Sequence, residues 1–207
     1  MPSYRFGKHP PKQDYRTLRF KTYLTSALAM AHAVTLYRAL VSCKKDIMPQ
    51  QAVIKLYMHM TGGLDTGLNE LDVLNYWRAH AVSGDRILAY ASIDPKNHVH
   101  VQQAIRLYGG VYIGFQVPQN CIPEFEAHQP WTPGPLTTDG HAVFVVGYDQ
   151  AGVTALTWGS TQQGTWDWWD ECVDEAFAIL PPEAEKPDFA PGFNILQLLA
   201  DLAAVAN

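Results

Sequence analysis

From Thr22 to Leu40 the apolar residues Tyr23, Ala27, Met30, Ala31, Val34 and Leu40 recur at helical intervals in an alanine-rich run. Such spacing gathers on one face of a 3.6-residue turn, so the pattern predicts a largely buried helix. Three further helices are predicted in the first half. One runs from Pro49 to Met60, with proline suited to the first turn and Gly62-Gly63 closing the end. Another starts near Asn69, a capping residue, and carries Leu71, Leu74 and Trp77 on one stripe. The third spans Asn97 to Tyr108 and stops at Gly109-Gly110.

The period then changes. VYIGFQV (Val111 to Val117), HAVFVVGYD (His141 to Asp149) and VTALTWG (Val153 to Gly159) are short runs rich in β-branched and aromatic residues, bounded by Gly, Pro, Asp and Asn. FAIL, Phe177 to Leu180, is a fourth strand candidate. A helical first half followed by an antiparallel second half reads as α+β. At the ends, residues 1–16 hold three prolines and form an extended arm, and Pro181 to Gly192 is a proline-rich acidic strap. NILQLLADLAAVAN then offers a helix capped by Asn194, apolar nearly all round and in want of something to bury against. The expected organisation is arm 1–16, domain 17–180, strap 181–192 and apolar helix 193–207.

With 207 residues and 47% hydrophobic content the chain can bury one substantial core. Its 20 acidic residues outnumber 15 Lys and Arg, which argues against a nucleic-acid partner. Three cysteines at 43, 121 and 172 lack metal-ligand spacing, and the start MPSYRFGKHPP lacks the apolar run of a secretory signal. Cytoplasmic synthesis is the expectation. No apolar run approaches the roughly 18 residues of a membrane span. Neither a cofactor nor a metal is expected.

Two motifs have bland readings that outweigh the sharp ones. His98 and His100 would share a side of a strand and hold a metal, but no carboxylate or cysteine sits at companion spacing, so a surface pair at a helix start is preferred. TWDWWDE, Thr165 to Glu171, invites stacking on a ligand, yet tryptophans this dense more often close a core edge or an interface.

The histidine segment is sharper. A strand opening Gly-His-Ala-Val at Gly140 and reaching Gly-Tyr-Asp at Asp149, followed by a turn and a strand ending Trp158-Gly159, resembles the C-terminal half of papain-like cysteine peptidases. Asp14-Tyr15-Arg16, KTYLTSALAMAHAV, the segment DTGLNELDVLNYWRAHAVSGDRILAY and RLYGGVYIGFQVPQN are similar to successive parts of the same family over most of residues 10 to 180. The resemblance implies a two-lobe fold, with His141 as general base, a nucleophile on the first helix and an orienting residue on the strand beside the histidine.

This chain departs from that pattern at three of four catalytic parts. Thr22 falls where the family carries its cysteine. Only five residues separate Arg16 from Thr22, too few for the loop bearing the oxyanion glutamine. Leu156 falls at the orienting asparagine, unless a shift of register brings Thr157 there, ahead of Trp158. Cys43 lies several helical turns from the nucleophile position, and Cys121 and Cys172 are read as lying away from any helix N-terminus that would activate them.

The resemblance therefore implies a catalytically inactive domain, with His141, Thr22, Leu156, Thr157 and Trp158 as vestigial positions, that works by binding or assembly with a protein partner or with itself. Its surfaces would be Trp166, Trp168 and Trp169 together with Leu196, Leu199 and Leu202. Similar domains look like bacteriophage proteins, which implies a virion component such as a capsid decoration or tail-associated protein. The alternative is an active hydrolase in which His141 serves Thr22, Thr25 or Ser26.

Overall fold

A computed structural model describes residues 48–64 and 67–182, together with Asn194 and Gln197. The predicted first helix, Thr22, Thr25, Ser26, Cys43, the arm, the strap and Leu196, Leu199 and Leu202 lie outside the described residues. Of the expected terminal helix, one feature is described: the backbone N–H of Gln197 donates to Asn194 Oδ1 at 3.1 Å, as a capping asparagine requires.

The described chain is α+β. In order it forms α1 (Gln50–Met60), α2 (Glu70–Ala79), β1 (Ala89–Ile93), α3 (His98–Tyr108), β2 (Val111–Pro118), α4 (Cys121–Glu126), β3 (Leu136–Tyr148), β4 (Gly152–Thr157), β5 (Ser160–Thr165), α5 (Trp166–Cys172) and β6 (Val173–Leu180). Helix α1 follows Pro49, whose φ of -62° suits entry to a helix. Helix α2 is capped by Asn69, whose side chain accepts from Leu71 N. Helix α3 ends on Gly109 in the left-handed region, φ 86°.

The strands make one antiparallel sheet in the order β1-β6-β2-β3-β4-β5. Strand β2 is buried along nearly its whole length, and Val111, Ile113, Val143, Val145, Ala155 and Ala176 are fully buried. Helices α2, α3 and α5 add Val73, Leu74, Trp77, Val101, Ile105, Trp168 and Trp169 to the same core. No described helix is long and apolar enough to cross a membrane.

Two strands escaped the pattern. β1 reads AYASI and β5 reads STQQGT; both are sheet edges with several exposed positions, so neither needs the unbroken apolar run that marks a buried strand. Two short helices in the second half, α4 and α5, likewise break the expected division into halves. Cys121 opens α4, which corrects the expectation that it lies away from any helix N-terminus.

Candidate functional site

The chain from Phe115 to Trp168 builds an aromatic box around one imidazole. Pairing of β2 with β3 sets Phe115 opposite His141, with the phenyl edge-on to the imidazole at 5.4 Å. Pairing of β3 with β4 sets Phe144 opposite Leu156. One residue further along that register, Thr157 lies on the other face of the sheet, the face of His141, because side chains alternate along a strand. Its hydroxyl lies 2.8 Å from His141 Nε2. Thr157, and not Leu156, is therefore the residue beside the imidazole.

The β4–β5 connection is a two-residue turn. Trp158 and Gly159 take φ of 44° and 74°, and Thr157 pairs with Ser160 across it. Positive φ at both central positions matches the twist of a tight hairpin, but it strains a side chain as bulky as tryptophan. Packing holds the strain in place: the Trp158 indole stacks on His141 at 4.7 Å and 15°, with Phe125 and Trp131 against its edges at 4.8 and 6.0 Å. Trp131 touches Phe115 and Trp168 in turn, and its indole N–H donates to the Cys121 carbonyl at 3.0 Å. The resulting site is closed, with His141 3% and Thr157 1% exposed.

Chemically, the Thr157 hydroxyl is a looser orienter than an amide. An asparagine carbonyl only accepts, so it selects the protonated nitrogen of the ring; a hydroxyl both donates and accepts and selects neither tautomer. The pair is nevertheless buried, and its loss should register in stability. We expect Thr157→Val to cost about 1–3 kcal/mol by stripping a buried nitrogen of this bond, read from the urea midpoint. Thr157→Ser should keep most of it. A loss for valine no larger than for serine would mean the hydroxyl does not hold the ring.

Neither described thiol is poised for attack. Both cysteines are buried. Burial, helped by the negative charge of Glu124, raises the Cys121 thiol far above its ordinary range, even though it opens a helix. Burial followed by the charges of Glu171 and Glu124 pushes Cys172 up to about 11. A thiol held protonated is a poor nucleophile.

The tryptophan segment TWDWWDE forms α5, entered through Thr165, whose side chain accepts from Trp168 N. Trp168 and Trp169 are fully buried, which removes them as partner-binding surface: their rings are filling the core. The Trp169 indole donates to the Pro95 carbonyl, and the partly exposed Trp166 donates to the Asp149 carbonyl. Trp166 also stacks on His98 at 4.3 Å, and His98 Nε2 lies 2.7 Å from Asp170. The His98–His100 pair thus sits on helix α3, and His98 is engaged with α5. No group of three His, Cys, Asp or Glu among the described residues is placed to hold a metal.

Phe115, Phe125 and Trp131 were not singled out by sequence reasoning. Trp131 lies in the proline-flanked loop HQPWTPGP, where only an isolated large aromatic hints at a tether. The chain matches no protein-family model and no curated protein.

Proposed function

We propose that this chain is a catalytically inactive papain-like domain that acts by binding or assembly, as a structural component of a bacteriophage particle. The observation that supports the reading best is the setting of His141. A 3%-exposed imidazole roofed by Trp158 and held through Nε2 by the Thr157 hydroxyl, where the family places an amide, has the layout of a base between two strands with a changed orienter. The two described thiols, protonated by burial, do not supply a substitute nucleophile. Thr22 at the nucleophile position would need an oxyanion site that the short segment before it leaves no room for. The virion assignment rests on resemblance of the sequence alone.

The competing reading is hydrolysis with His141 as base for Thr22, Thr25 or Ser26, and the retained imidazole–hydroxyl pair is what favours it. A reactive fluorophosphonate separates the two. Full-length protein should remain unlabelled by intact-mass analysis. Stoichiometric labelling at one of those three hydroxyls, abolished by His141→Ala in a folded variant, would establish the hydrolase.

A further inference from the structure

The strand that delivers His141 has an irregular outer end. β3 pairs with β2 without a break from Val145 to Gly140, opposite Val111 to Gln116, and pairs again only where Leu136 meets Pro118. Thr137, Thr138 and Asp139 therefore stand against the single residue Val117, as a bulge. The Thr137 hydroxyl closes it, donating to the Val117 carbonyl at 2.8 Å and accepting from the Asp139 N–H at 3.1 Å. Burial changes abruptly at this point: Asp139 and Gly140 are exposed, and from His141 onward β3 is buried. The Asp139 carboxylate has no hydrogen-bond or ion-pair partner among the described residues, and a Cβ built on Gly140 would meet nothing within 4 Å. In the 207 residues this is the one Asp-Gly step, and Asn-Gly does not occur.

An aspartate followed by glycine can close on itself. The glycine's main-chain nitrogen attacks the side-chain carboxyl carbon, and one carboxyl oxygen leaves as water with the amide proton and a proton from solvent. The product is a cyclic imide. Water then adds to either imide carbonyl and breaks that carbonyl's C–N bond, which restores aspartate or leaves an isoaspartyl link, with the main chain running through the side-chain carbon. Nothing but water enters or leaves. Glycine favours closure because no side chain crowds its nitrogen and its backbone turns freely. A regular ladder would hold both partners apart, whereas here Asp139 has no opposite residue and Gly140 forms the outermost rung of the unbroken pairing.

We propose that Asp139-Gly140 is a modification site, at which the folded chain rearranges unaided to an isoaspartyl link just ahead of His141. The added main-chain carbon enters at the bulge, where no residue of β2 opposes it. Pairing from Phe115 opposite His141 inward is therefore kept, and the altered chain stays folded. The link also leaves a free α-carboxylate on an exposed stretch of strand, the group that an isoaspartyl carboxyl methyltransferase takes as its substrate.

Incubation of the full-length protein in oxygen-18 water at physiological temperature and pH, followed by digestion in ordinary water, tests the site. The peptide containing Asp139 should acquire a second chromatographic form that carries one oxygen-18 atom, fragments as isoaspartate and accepts a methyl group from S-adenosylmethionine through isoaspartyl methyltransferase. The same chain unfolded in urea sets the intrinsic rate, and the folded protein should come within several-fold of it. Gly140→Ala, which has room for its methyl group, should slow the conversion several-fold without lowering the urea midpoint. Asp139→Glu should abolish it. Isoaspartate that forms in the unfolded chain but not in the folded one, or conversion as fast in Gly140→Ala as in the wild type, would overturn the proposal. So would loss of the cooperative urea transition in the converted protein, because the bulge would then not absorb the extra carbon.

Discussion

Trp131→Ala should lower the folding free energy by about 3–5 kcal/mol, a large share of the roughly 5–15 kcal/mol that a domain has in total. The expectation rests on three separate losses at one position. The fully buried indole leaves a cavity between Phe115, Trp158 and Trp168. The Cys121 carbonyl forfeits the N–H it accepts. The main chain at 131 bonds to β5 on both sides, through Trp131 N to Gln163 O and Thr165 N to Trp131 O, so loosening the side chain loosens an edge of the sheet. Urea unfolding followed by far-ultraviolet circular dichroism is the measurement. Trp131→Phe, which refills much of the volume without the N–H, should recover about half of the loss. A loss below about 1 kcal/mol for alanine would show that the box collapses freely and is not a packed unit.

Gly152→Ala should cost about 3 kcal/mol or more, an unusual penalty for one methyl group. The added carbon would stand 1.9 Å from the Gly164 carbonyl oxygen and 2.9 Å from Thr165 Cα, both backbone atoms of the strand paired with it. No rotamer change relieves such a clash; β4 and β5 must separate. Gly140→Ala supplies the contrast, because nothing lies within 4 Å of its would-be Cβ and its φ is not left-handed. There the substitution should be neutral or stabilising by about 0.5 kcal/mol through a stiffer unfolded chain. Thermal unfolding of the two variants side by side decides the matter: equal melting temperatures would show that β4 and β5 are not in this register.

Much of the described fold was legible because its helices carry their own punctuation. Pro49, Asn69 and Gly109 bound α1, α2 and α3 within a residue of the expected ends. The central strands were equally plain, since β2, β3 and β4 are buried enough to demand continuous apolar runs. The edge strands β1 and β5 carry alanine, serine, threonine and glutamine, residues that pay no penalty outside a sheet, and local pattern is silent there.

The site was legible in part. His141 and Trp158 stood out, but whether Leu156 or Thr157 reached the imidazole depended on register, and one residue of slip exchanges the two faces. The tryptophans of α5 were visible as a cluster, whereas their direction was not: only the helix shows that Trp168 and Trp169 turn inward. Glu70 reads in the sequence as an ordinary acid in a first helical turn, whereas in the fold it is buried.

The strand order also constrains how the molecule is made. β6, the last of the described strands, lies between β1 and β2 and pairs with both. A nascent polypeptide can zip β2 to β5 as they leave the ribosome, but among the described strands β1 has no neighbour until residue 180 has emerged. Sheet completion is therefore a late event of translation, and a chaperone binding the growing chain would meet β1 and the exposed side of β2 as its open seams.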